Sequence, residues 1–129
     1  MSGAEIDRLH AAARKELAEF WQMCIEDGTD EVQNLENFAR VFEALADAAR
    51  WLKDLPDTLP PDTADQATLL SAVERAVLRF NTVNEACGYP IETNEREIIA
   101  GFLCEAAAAR GLDLDRVEHR DPTLAYREW

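Results

Sequence analysis

The chain has 129 residues, 47% of them apolar, with 26 acids against 13 bases and a formal charge of −13. That length suits one domain over 1–129, with a core large enough to stand without disulfides or metals, and the apolar content argues against long-range disorder. The charge repels nucleic-acid phosphates and anionic membrane surfaces, so neither is an expected direct partner, whereas a basic protein would be steered toward it.

The opening "MSGAEIDRLH" has no basic-then-apolar leader pattern, and no apolar stretch approaches the length of a membrane span. A cytoplasmic location is expected. The cysteines Cys24, Cys87 and Cys104 form no C-x-x-C pair and read as small thiols in a reducing compartment. Eleven arginines against two lysines, with abundant alanine, suggest a GC-rich bacterial genome.

The first helix is predicted from Ala4 to Asp27. Ile6, Leu9, Ala13, Leu17, Phe20, Trp21, Cys24 and Ile25 recur at helical spacing, and Gly28 is the expected stop. Thr29 or Asp30 can cap a second helix, whose stripe runs through Val32, Leu35, Phe38, Phe42, Leu45, Ala49 and Leu52 to about Lys53. "LPDTLPPD" then breaks the chain, because three prolines in eight residues permit neither helix nor central strand. Thr63 and Gln66 have capping-box spacing for a third helix bearing Leu69, Leu70, Val73, Ala76, Val77, Phe80 and Cys87, which stops at Gly88. Thr93 is the expected cap of a fourth, lined by Ile98, Ile99, Phe102, Leu103, Ala106 and Ala107 and ended by Gly111. "LDLDRVEHR" has no clean period. Asp121 and Pro122 then read as the cap and first position of a short terminal helix carrying Leu124, Ala125, Tyr126 and Trp129. The fold class is therefore all-α: an up-down-up-down four-helix bundle with a short C-terminal helix.

Chemistry-bearing patterns are scarce. His10 and His119 have no repeated Glu-x-x-His or H-E-x-x-H context, and "EDGTDEVQNLE" puts Met23, Ile25 and Asn34 where a calcium loop needs acids. Five scattered glycines make no phosphate loop, and Ser2 and Ser71 sit in no nucleophile elbow. No metal, cofactor or catalytic residue is expected, and the sequence reads as a non-enzyme.

Charge placement says more. Seven acids and no base lie between Lys15 and Arg40, and Glu85, Glu92, Glu95 and Glu97 flank the third connection with Arg96 alone opposing them. In an up-down bundle both connections share one end. Asn34, Asn37, Asn81, Asn84 and Asn94 flank the same connections. Asp30, Glu31 and Glu95 suit helix starts, but Glu26, Asp27 and Glu85 sit at helix ends, where the dipole disfavours acids. Solvation of polar loops accounts for part of this clustering. The partner-binding reading takes Glu26, Asp27, Asp30, Glu31, Asn34, Asn81, Asn84, Glu85, Glu92 and Glu95 as an acidic, amide-rich pole. At the opposite end Leu55, Leu59, Pro60 and Pro61 offer Tyr126 and Trp129 a packing surface. The alternative makes those two aromatics partner anchors, since "YREW" combines three residue types typical of hot spots.

The last third of the chain, from "NTVNEACGYPIETNEREIIAGF" to "DPTLAYREW", resembles small bacterial all-α proteins that start a helix with "IET-x-x-RE" and end on a "WREW"-like phrase. Tyr126 departs from that phrase. The resemblance implies a bacterial, cytosolic, helical protein and carries no activity or site residue.

The functional expectation is a non-catalytic acidic protein that inhibits or sequesters a basic partner, a toxin for instance, in the manner of immunity proteins and antitoxins. It would be a monomer or homodimer. One alternative is a regulatory or scaffolding helical module that dimerises. Another is a phage-type nucleic-acid mimic, although its acids would be regularly spaced rather than clustered.

Overall fold

The computed structural model describes residues 2–27, 35–57 and 64–129, apart from the side chains of Ser2, Glu26 and Asp27. Among these residues there are four α-helices and no strand: α1 (Ser2–Asp27), α2 (Leu35–Lys53), α3 (Gln66–Ala86) and α4 (Thr93–Ala109). They form the four-helix bundle that the apolar periodicity predicts. α1 packs on α2 and on α4, and α2 packs on α3. The stripes meet in one core, where Leu17, Val41, Leu45, Leu52, Leu69, Val73, Phe80, Ile99 and Leu103 are all buried. No helix among the described residues is long and apolar enough to cross a membrane.

Cross-helix contacts fix which ends coincide. Trp21 of α1 stacks flat on Phe38 of α2, with ring centroids 3.9 Å apart, and its Nε1–H donates to Glu95 of α4. Asn37 donates to the Cys87 carbonyl at 3.0 Å. One end therefore gathers the close of α1 and α3 with the start of α2 and α4. At the other end, the buried Arg110 guanidinium donates to the Lys53 and Leu55 carbonyls at 3.0 and 2.8 Å and pairs with Asp57 at 2.6 Å. Lys53 there pairs with Asp7 of α1 at 2.8 Å.

Two of the three expected glycine stops behave as expected, while Gly28 lies outside the described residues, as do the expected caps Thr29 and Asp30. Gly88 and Gly111 have φ of 79° and 108°, and each lets the following amide reach back to a helix carbonyl: Tyr89 to Asn84 at 2.7 Å, Leu112 to Ala107 at 3.0 Å. The starts differ in detail. Asp65 caps α3 by accepting from the Thr68 amide at 3.2 Å, while the predicted Thr63 lies outside the described residues. Gln66 instead spans to the end of α4, donating to the Gly111 carbonyl at 2.6 Å and accepting from the Asp113 amide at 2.8 Å. Glu92 rather than Thr93 is the cap of α4.

The tail departs most from expectation. Two 3-10 turns, Leu114–Arg116 and Glu118–Arg120, fill the aperiodic stretch. The Asp121–Pro122 turn forms but lasts one turn, closed by the Arg127 amide on the Thr123 carbonyl at 3.1 Å. A single turn gains too few hydrogen bonds to propagate a helix. Asp121 secures it by accepting from the Thr123 amide and hydroxyl, the Arg127 guanidinium and the Cys104 thiol. The tail does not remain at the proline-rich end: it bridges α3 and α4, which hardly touch each other directly. Trp129 meets Phe80 edge-to-face at 6.0 Å, near the far end of α3. Of the packing surface expected for it, Leu59, Pro60 and Pro61 lie outside the described residues.

Candidate functional site

The acidic end is built by helix termini. On it, Glu85, in the last turn of α3, is exposed, as is Glu92 at the start of α4. Glu97 is exposed one turn further along α4. None of the three is in a salt bridge among the described residues. Among the described residues the ion pairs that join separate elements lie elsewhere: Asp7–Lys53 and Asp57–Arg110 at the opposite end, Asp47–Arg79 between α2 and α3, and Asp115–Arg120 between the two 3-10 turns. Arg96, the single base among these acids, is half-buried, and its Nε has no hydrogen-bond partner.

Several expected contact residues have internal partners instead. Glu95 is 1% exposed. Its Oε2 accepts from Trp21 Nε1 at 2.9 Å and its Oε1 from the Glu92 amide at 3.3 Å. Its acidity suits the α4 start, but it serves the fold and is closed to a partner. Asn84 is buried and accepts from the Ile91 amide at 2.9 Å, holding the α3–α4 turn. Asn81 donates to the Tyr126 carbonyl at 2.8 Å and accepts from the Glu128 amide at 3.1 Å, fastening the tail. The two asparagines, poor helix formers, are thus explained by backbone groups that needed partners. Trp129 is half-buried, with its Nε1 enclosed and unpartnered, so it closes the bundle rather than presenting an anchor. Of the expected contact residues, Glu95 and Asn84 are therefore buried, and Asn81 and Trp129 are half-buried, Trp129 packing on the bundle as the first of its two expectations had it. Tyr126 stays 42% exposed. Asp30, Glu31 and Asn34 lie outside the described residues, as do the side chains of Glu26 and Asp27.

The structure adds residues that the charge pattern did not single out. Tyr89 follows Gly88 in the α3–α4 turn, is 63% exposed, and has φ of 66°. A tyrosine in the left-handed region is strained, and nothing buries its ring in return. Met23 and Leu35, also at this end, are 59% and 75% exposed. Only Tyr89 had a signal in sequence, as the residue between a helix-ending glycine and a proline. This end thus combines exposed carboxylates that have no salt bridge among the described residues with exposed apolar side chains.

No group of three or more His, Cys, Asp or Glu side chains among the described residues is placed to hold a metal ion. His10 is half-buried on α1, 6.1 Å from the Phe102 ring, with Nε2 unpartnered. Burial, then Arg14, holds its pKa below the usual histidine value against the weaker pull of Asp7. Burial and the neighbouring Asp121 carboxylate push the Cys104 thiol up to about 12. At neutral pH a thiol held that way is protonated and a poor nucleophile. No family model matches the chain, and comparison with curated proteins and solved structures finds no similar one.

Proposed function

We propose that the protein is a non-catalytic acidic binding protein that captures a basic partner protein, in the manner of a bacterial immunity protein or antitoxin. The observation that carries this reading is the run of exposed carboxylates, Glu85, Glu92 and Glu97, left without ion pairs among the described residues at one end of the bundle. Tyr89 and Met23, exposed toward the same end of the bundle, supply the apolar contact that charge alone lacks. A basic surface seated there would neutralise both partners. The test is capture from the native host with wild-type and Glu85→Lys/Glu92→Lys baits, at low and high salt. Exposed charges are screened by salt, so the wild-type bait should retain a basic protein at low salt and release it at high salt, and the reversed bait should fail to retain it. Equal retention by both baits sinks the reading.

A second reading, a helical module that dimerises, is favoured by one feature. Leu35 stands exposed beside an apolar groove between α1 and α2 lined by Trp21, Ile25, Phe38 and Phe42. Size-exclusion with light scattering decides it: a monomer at every concentration counts against it.

A further inference from the structure

α1 and α4 pack along their length, and their outer seam is open. It holds a groove of about 230 Å³, continued by a hollow of about 390 Å³ that shares Glu16, Glu97 and Ile98. The floor is apolar, made by the buried Leu9, Ala13 and Phe102 with the half-buried Phe20 and Ile98. The rim is acidic: Glu16 on one side, Glu97 and Glu105 on the other, all exposed. None of the three is in a salt bridge among the described residues, and Arg8, the cation that Glu105 feels, is already paired with Glu5.

Gly101 lies between the two α4 carboxylates, four residues from each, so all three share a helix face. A glycine inside a helix is a poor choice unless something must come close. Here nothing among the described residues does: a Cβ built at Gly101 would meet none of their atoms within 4 Å. The bare backbone opens onto the groove, not onto a neighbouring helix.

We propose that this α1–α4 groove is the docking site for a cationic amphipathic helix of a partner protein. An apolar ridge of that helix lies over Gly101 and the Leu9–Phe102 floor, and its flanking lysines and arginines reach Glu16, Glu97 and Glu105. The inference rests on the basic-partner reading above and says where and in what form that partner binds. The charge sets the choice of occupant. A second copy of the chain would bring its own −13, and nucleic acid or an anionic bilayer would be repelled likewise. An extended peptide has no sheet edge to join among the described residues. A helix fits a straight seam between two helices, and Leu9 to Phe20 spans roughly 16 Å at 1.5 Å per residue.

The test uses a labelled synthetic helix of about 14 residues, long enough to span the seam at that rise. It has a leucine ridge flanked by lysines and arginines, and its binding to the full chain is read by fluorescence anisotropy. The wild-type chain should bind it, more tightly at low salt. Gly101→Leu should weaken it at least about tenfold, the change that 1.4 kcal/mol produces, while circular dichroism shows the helix content kept. Glu97→Gln/Glu105→Gln should weaken it mainly at low salt. Three results overturn the proposal: no binding of the peptide, unchanged binding to Gly101→Leu, or equal binding of a scrambled peptide of the same composition without the ridge. If Gly101→Leu captures the native basic partner at the wild-type level, the groove is wrong and the basic-partner reading stands. If capture ignores salt and every charge reversal, that reading has failed itself.

Discussion

Replacing Glu95 separates a residue of the fold from a residue of the recognition surface. Its carboxylate accepts hydrogen bonds from Trp21 Nε1 at 2.9 Å and from the Glu92 amide at 3.3 Å. Hydrogen bonds to a charged acceptor contribute about 1.5–3 kcal/mol each when buried, and a helix-start contact contributes about 1 kcal/mol. Against these stands the cost of holding a carboxylate at 1% exposure, which removal relieves in part. Glu95→Ala leaves the indole N–H without this acceptor and a cavity beside it, and the expected loss is about 3 kcal/mol. Glu95→Gln keeps the shape and one acceptor oxygen, but turns an NH₂ toward the second donor. About half that loss is expected, roughly 1.5 kcal/mol.

The assay is urea unfolding followed by far-ultraviolet circular dichroism, because three tryptophans complicate fluorescence. Trp21→Phe supplies the control, since it can keep the flat stacking on Phe38 while removing the N–H. The double-mutant cycle should give a coupling of about 1–2 kcal/mol between Trp21 and Glu95. A Glu95→Ala chain within about 0.5 kcal/mol of wild type, the range of ordinary surface changes, refutes the assignment. So does a Glu95→Gln chain of unchanged stability that has lost its partner.

Trp129→Ala should cost about 2–3 kcal/mol, from lost burial and the edge-to-face contact with Phe80, whereas Trp129→Phe should stay within about 1 kcal/mol because the indole N–H had no partner to lose. Equal losses in urea melts would contradict that. Cys104 should resist alkylation at pH 8 in the native chain and react once it is unfolded, since its thiol is held near 12; peptide mass spectrometry after timed iodoacetamide reads this, and fast native labelling contradicts it. His10 has a folded pKa below its unfolded value, so the unfolded chain takes up the proton more readily. The stability tied to the neutral ring is full above about pH 6.5 and is lost as pH falls through that value toward the depressed folded pKa. His10→Leu should therefore flatten the pH dependence of stability in that window, and parallel curves for variant and wild type would refute it.

The helices were legible because burial has a period: Ile6, Leu9, Ala13, Leu17 and Trp21 could be read as one face before any contact was known. Gly88 and Gly111 were legible because a left-handed residue after a helix narrows the choice of side chain. The tail was not. Its course depends on Asn81, forty-five residues away from Tyr126, and on Asp121 meeting Cys104 across the α4 face. Neither partner choice leaves a local pattern. Acidity alone likewise could not separate Glu95 from Glu92. They lie three residues apart at the same helix start, but α4 points one at the Trp21 indole and leaves the other exposed at the helix cap.

What the fold uses can be set apart from what it tolerates. Asn81 and Asn84 looked like violations of helix preference, and each is accounted for by backbone groups it satisfies. Glu85, Tyr89 and Gly101 look like violations too, and the packing does not account for them. Glu85 is an exposed acid where the α3 dipole is negative. Tyr89 holds a positive φ with its ring in solvent. Gly101 weakens α4 with open space where a side chain would fit. None of the three side-chain choices is repaid by packing, which is what the proposed recognition surface would lead one to expect. Two of the three lie at the α3–α4 turn and the third on the α4 face that leads away from it. A partner reading all three would therefore start at the acidic end and run down the α1–α4 seam.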